Sequence, residues 1–146
     1  MKGYFTILTL LTFTTVFAEN NCVKCDLDKV KIVNEHIDSL TFKMVSDFLC
    51  TFDDSCINNV EYSEWSNETL FKVINKAPTL FFKVIEKGQV DNNLLLKEIE
   101  SPINDLIDLQ GTYDKLNSTT VSPDIKSKYL NAVIKAAEKS GENIIK

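Results

Sequence analysis

Four cysteines are the residues best equipped for chemistry in this chain: Cys22 and Cys25 in a Cys-x-x-Cys pair, then Cys50 and Cys56. The first spacing suits a thiol–disulfide redox site, but such a site sits in a βαβ context that is missing here. Zinc fits poorly as well. The second pair has a different spacing, His36 is the only histidine, and four thiols in an oxidising compartment pair with each other. The expectation is two structural disulfides, with no metal and no cofactor.

The other concentration of functional groups is "CTFDDSCINNVEYSEWSNETLF", Cys50 to Phe71, which holds the only Trp. Asp53, Asp54, Ser55, Asn58, Asn59 and Glu61 carry enough oxygen for calcium. They lack the alternating ligand positions and central Gly of an EF-hand loop, so a polar turn is the plainer reading. Tyr62, Glu64, Trp65 and Glu68 form the candidate partner-binding group. On an unbroken helix from Val60, Trp65 would face away from the Leu70/Ile74 stripe, at ~100° per residue, and stand among carboxylates as a partner anchor. Starting the helix at Ser66 instead turns Trp65 into a hydrophobic staple on Leu70, with Glu68 in the first turn. The staple is the favoured expectation. Asn67-Glu-Thr and Asn117-Ser-Thr are glycan acceptor sequons, relevant in a eukaryotic host.

Catalytic constellations are missing. His36 has no companions, no Gly-rich phosphate loop occurs, and the 21 carboxylates single out no acid–base pair. The formal charge is −5, and all 16 cationic residues are Lys. Such a surface is unsuited to nucleic acid or anionic bilayers, and bidentate Arg recognition is unavailable.

The elements that position these groups are helical. Residues 1–18, "MKGYFTILTLLTFTTVFA", read as a cleavable signal peptide: Lys2, a Thr-diluted apolar run, then Val16-Phe17-Ala18 before the cut. The run is short for a span of ~20 apolar residues, so no stable membrane insertion is expected after cleavage. Residues 19–146 then make one helical domain, secreted or periplasmic.

Val30, Val33, Ile37, Leu40, Met44 and Phe48 step by three or four and predict one helix over residues 27–49. Such a helix, ~35 Å long, would separate Cys25 from Cys50 and leave only local pairs, Cys22–Cys25 and Cys50–Cys56. A competing reading caps a second helix with Thr41, using Leu40 as its staple, and folds Cys25 back toward Cys50 or Cys56. The unbroken stripe favours the single helix.

Further starts are expected at Ala77-Pro78, Ser101-Pro102 and Ser122-Pro123, the last two with serine caps, and Asp91 caps another. Gly88 and Gly141 suit left-handed helix ends, and residues 117–122 read as a loop. The fold expectation is an all-α, irregular bundle of about six helices, disulfide-stapled near the N-terminus; a short superhelical stack is the alternative. For function, a non-catalytic module binding another protein, one of basic surface, comes first. A carrier holding an apolar ligand near Leu80-Phe81-Phe82 and Leu94-Leu95-Leu96 comes second.

Overall fold

A computed structural model describes residues 22–146, so the leader assigned to residues 1–18 lies outside the described residues. Seven α-helices follow in order: α1 (Leu27–Glu35), α2 (Phe42–Leu49), α3 (Val60–Lys76), α4 (Pro78–Glu86), α5 (Asn92–Ile99), α6 (Leu109–Ser118) and α7 (Pro123–Ser140). A 3-10 turn, Asp54–Asn58, sits between α2 and α3, and no strand occurs among the described residues. The all-α expectation holds.

α3 is the axis of the bundle. It packs on α1, α4, α5 and α6, while α7 closes over α5 and α6. In a stacked superhelix each pair touches only its neighbours, so this radial packing makes the molecule a bundle. One cluster of buried side chains runs from Val30 to Ala137. The two apolar runs feed it: Phe81 and Phe82 meet the Tyr129 ring edge-on, at centroid distances of 5.2 and 5.8 Å, and Leu95 is fully buried. Edge-to-face rings add to the area they bury.

Several local signals act as their chemistry dictates. Asp26 Oδ1 accepts the Asp28 N–H at 2.9 Å, and Asp91 Oδ1 accepts those of Asn93 and Leu94 at 3.0 and 3.1 Å. Pro78 and Pro123 open α4 and α7. Gly88 and Gly141 turn left-handed, at φ 66° and 78°, where a side chain would be strained.

Other expectations are corrected. Residues 27–49 are not one helix. The backbone leaves α1 at His36, whose Nδ1 lies 2.9 Å from the Ile32 carbonyl oxygen, and re-enters at Thr41. Thr41 Oγ1 accepts the Met44 N–H at 3.3 Å, and Leu40 packs on the core beside it. The break gives α2 its own stripe of Val45, Phe48 and Leu49, distinct from Val30 and Val33 on α1. The two helices pack on each other, so the chain doubles back.

The pairing is therefore interlocked and not local: Cys22–Cys50 and Cys25–Cys56, with Cα separations of 5.9 and 5.5 Å. Cys25 takes a left-handed conformation, φ 55°, which its disulfide and its N–H bond to the Thr51 carbonyl, 2.9 Å, hold in place. Among the described residues every cysteine is paired, the chemistry of an oxidising environment.

Two serine caps also fail. Ser122 makes no capping bond from its side chain. Ser101-Pro102 opens no helix at all; residues 101–107 form a turn-rich loop, and α6 begins later, capped by Asp108. Asn117 consequently lies in the last turn of α6, outside any loop.

Candidate functional site

Trp65 stands on the outer side of α3. That helix starts at Val60, capped by Asn59 Oδ1 on the Tyr62 N–H at 3.1 Å, and Ser66 is buried in its interior. The staple expectation is thus overturned. Both starts satisfy the local capping rules, and packing decides between them, because an entrance at Ser66 would expose a seryl group and an Asn that the bundle buries. The unbroken helix leaves Trp65 43% exposed while Leu70, Val73 and Ile74 on the other side are fully buried.

Of the four candidate partner-binding residues, three share this outer side and one does not. Glu64 is exposed and Glu68 half-buried. Tyr62 is 1% exposed, its hydroxyl 2.7 Å from Thr51 Oγ1, so it belongs to the core. Burial pushes its phenol up to about 12 despite hydrogen bonds to Thr51 and Ser66 that pull the other way.

Trp65 divides two grooves. On one side a groove of about 310 Å³ is lined by Glu64, Trp65, Glu68, Ile103, Asn104 and Asp105. Glu68 Oε1 accepts from Asn104 Nδ2 at 2.9 Å, and Lys72 Nζ lies 3.8 Å from its other oxygen. On the side facing α1, a groove of about 590 Å³ includes Lys31, Asn34, Glu35 and Lys72. Its floor is already knitted: Lys72 Nζ donates to Asn34 Oδ1 at 3.1 Å, and Asn34 Nδ2 donates to Thr69 Oγ1 at 2.5 Å. Ile103, 52% exposed, also borders a cleft that contains Ile57, Asp53 and Asp54. Leu106, in the same 101–107 loop, is 86% exposed.

What aims this loop is Asn67. Its side chain is completely buried, with Nδ2 donating to the Glu98 carbonyl and to Glu98 Oε2, both at 3.0 Å, while its Oδ1 accepts the Ile103 N–H at 3.1 Å. The first sequon is therefore spent on structure in the folded chain. Asn117 is exposed and is the sequon asparagine the fold leaves accessible.

The acidic turn before α3 works locally. Asp53 Oδ1 accepts the Ser55 N–H at 3.0 Å, and bonds from Ser55 hold the Asp53 carboxyl below its ordinary value. Lys97 pairs with Asp54 at 3.8 Å across the adjoining cleft. His36 acts as the terminus of α1, exposed, its ring bonded to the Ile32 carbonyl of that helix and its own carbonyl accepting the Ser39 N–H at 2.8 Å.

Ile103, Asn104 and Asp105 were legible as residues but not as part of a site. The signal lay in Asn104-Asp105 after Pro102, a turn-forming sequence that competes with a helix start. Asn104 Oδ1 accepts the Leu106 N–H at 2.9 Å and closes that turn. Comparison with family models, with curated proteins and with solved structures returns no match for this chain.

Proposed function

We propose that this chain is an exported, non-catalytic binding protein that engages another protein through the edge formed by α3 and the 101–107 loop, with Trp65 as its anchor. The observation that carries the reading is a lone Trp, 43% exposed, on a long helix whose opposite side supplies the core. Exposing an indole forgoes the favourable burial of a large apolar ring, and half-exposed Trp next to further apolar side chains is the composition of an interface hot spot. Ile103, 52% exposed, lines the same groove as Trp65 and supplies such a neighbour.

Export is supported by the paired cysteines and the leader-like residues 1–18. Among the described residues no helix is long and apolar enough to cross a membrane, and the acidic balance disfavours nucleic acid. Catalysis has no support from the placement of the titratable groups: Asp26, Asp91 and Asp108 serve as caps, Asp53 closes a turn, and Asp47, Asp54, Glu68 and Glu100 pair with lysines.

Affinity capture from the extracellular or periplasmic fraction of the native host, using the oxidised chain and its Trp65→Ala variant, tests this. The expected result is a protein retained by the first and lost by the second, at equal far-UV circular dichroism. A captured protein indifferent to the substitution would contradict it, as would a co-purified apolar small molecule in place of a protein.

A further inference from the structure

The groove between Trp65 and Ile103 differs from its neighbour across the indole in one respect: it has acidic residues and no cationic ones. Glu64, Glu68 and Asp105 line it, and no Lys does. The Glu64 and Asp105 carboxylates make no hydrogen bond or ion pair among the described residues, and only that of Glu68 is engaged, by Asn104 and by the more distant Lys72. On the other side of the ring the Lys31 and Lys72 side chains balance Glu35 and Glu68.

Resting on the binding reading above, we infer that the segment seated in this groove carries a lysine or arginine side chain. That cation lies on the Trp65 indole, among the carboxylates, while an adjacent apolar side chain of the same segment covers Ile103. A ring face within ~6 Å of a cation attracts it through its quadrupole, and Trp does so best. The carboxylates strengthen that attraction and leave no cation in the groove to oppose it. Apolar Trp65 and Ile103 alone would accept any greasy surface; the three carboxylates narrow the choice to a basic one. An anionic bilayer is repelled by the same groups. A single metal ion is not the occupant, since the carboxylates do not converge: among the described residues no three His, Cys, Asp or Glu side chains are placed to hold one.

The test uses the full disulfide-bonded chain, whose single Trp makes indole emission a direct reporter of the groove. Two synthetic amphipathic peptides of identical apolar pattern, one Leu/Lys and one Leu/Glu, are titrated in, with spermine as a free polycation. The Leu/Lys peptide is expected to shift the emission and to bind at least ~10-fold more tightly than the Leu/Glu peptide. Calorimetry should show its affinity falling by a comparable factor in the Glu64→Lys/Asp105→Lys chain and weakening as salt is raised. Both substituted groups are exposed and unpaired, so far-UV circular dichroism should be unchanged. Equal binding of the acidic peptide, or indifference to the charge reversal, overturns the inference. Spermine matching the peptide overturns it too, because a free cation would then suffice. Failure of the parent reading looks different. A native partner captured through Trp65 but docking by an acidic or neutral segment removes only the basic occupant, whereas capture indifferent to Trp65→Ala removes the site itself.

Discussion

Asn67 Oδ1 accepts the backbone N–H of Ile103 at 3.1 Å, joining the buried middle of α3 to a loop 36 residues away. The bond explains why the exposed Trp65 has a fixed neighbour. Ile103 is held by an amide that is itself fully buried and doubly bonded to Glu98, so the groove wall is part of the core's hydrogen bonding. Removing the amide leaves the Ile103 N–H without its partner. Asn67→Ala should lower the unfolding free energy by about 1–3 kcal/mol and speed hydrogen exchange at the Ile103 amide, measured by urea denaturation and exchange mass spectrometry.

The interlocked cysteines make a sharp covalent prediction. Trypsin after Lys24 and Asp-N at Asp53 separate the four thiol positions. Under non-reducing conditions the fragments should join Cys22 to Cys50 and Cys25 to Cys56. A Cys22–Cys25 loop would contradict the doubling back of α1 and α2. Replacing Cys22 and Cys50 together by Ser should cost about 2–4 kcal/mol, because each bridge closes a loop of some thirty residues in the unfolded chain.

High pH should weaken the fold through two tyrosines. Tyr62 is pushed up to about 12, and burial raises Tyr129 as well. A raised phenol keeps its proton longer in the folded chain than in the unfolded one. Stability from this source is fully present below the ordinary tyrosine value of ~10 and is lost as pH climbs toward the folded value near 12. Absorbance titration at the phenolate band, run beside denaturant unfolding at several alkaline pH values, checks both the late ionisation and the falling stability.

The two sequons should behave differently in a eukaryotic secretory host. Folded protein from such cells is expected to carry one N-linked glycan, at exposed Asn117, because the Asn67 amide is committed to Glu98 and Ile103. Glycopeptide mapping reads the outcome, and Asn117→Gln should abolish the glycan.

Much of the architecture was legible because it is written locally. Asp26 and Asp91 cap through their own side chains, Pro78 and Pro123 occupy first-turn positions, and Gly88 and Gly141 end helices with positive φ. The misread elements are those where two local rules compete and tertiary burial arbitrates. Thr41 is a good cap inside a good helical stripe; Phe42 and Ile32, off that stripe, were the trace of the break. Lys87 Nζ, 4.6 Å from the Phe42 ring centre, shows how the off-stripe ring is covered from the end of α4. Ser66 could cap an entrance as well as Asn59 does, and only burial of Ser66 and Asn67 tells them apart. Ser101-Pro102 resembles a helix start until the Ile103 N–H is claimed by Asn67, a contact no window of sequence contains. Of the four residues expected to meet a partner, Glu64, Trp65 and Glu68 share the outer side of α3 and Tyr62 belongs to the core; Ile103 and Asp105 come to lie beside them through the Asn67–Ile103 and Glu68–Asn104 bonds.

The claim at the centre is that the Trp65 edge touches another protein. Site-specific photocrosslinking in the native extracytoplasmic fraction addresses it most directly, with the photoreactive side chain placed at exposed Glu64 and, as a control, at exposed Lys128 on α7. A covalent adduct to a defined protein from position 64, absent from position 128 and suppressed by Trp65→Ala, is the predicted result. Equal labelling from both positions, or an adduct that survives loss of the indole, would contradict it.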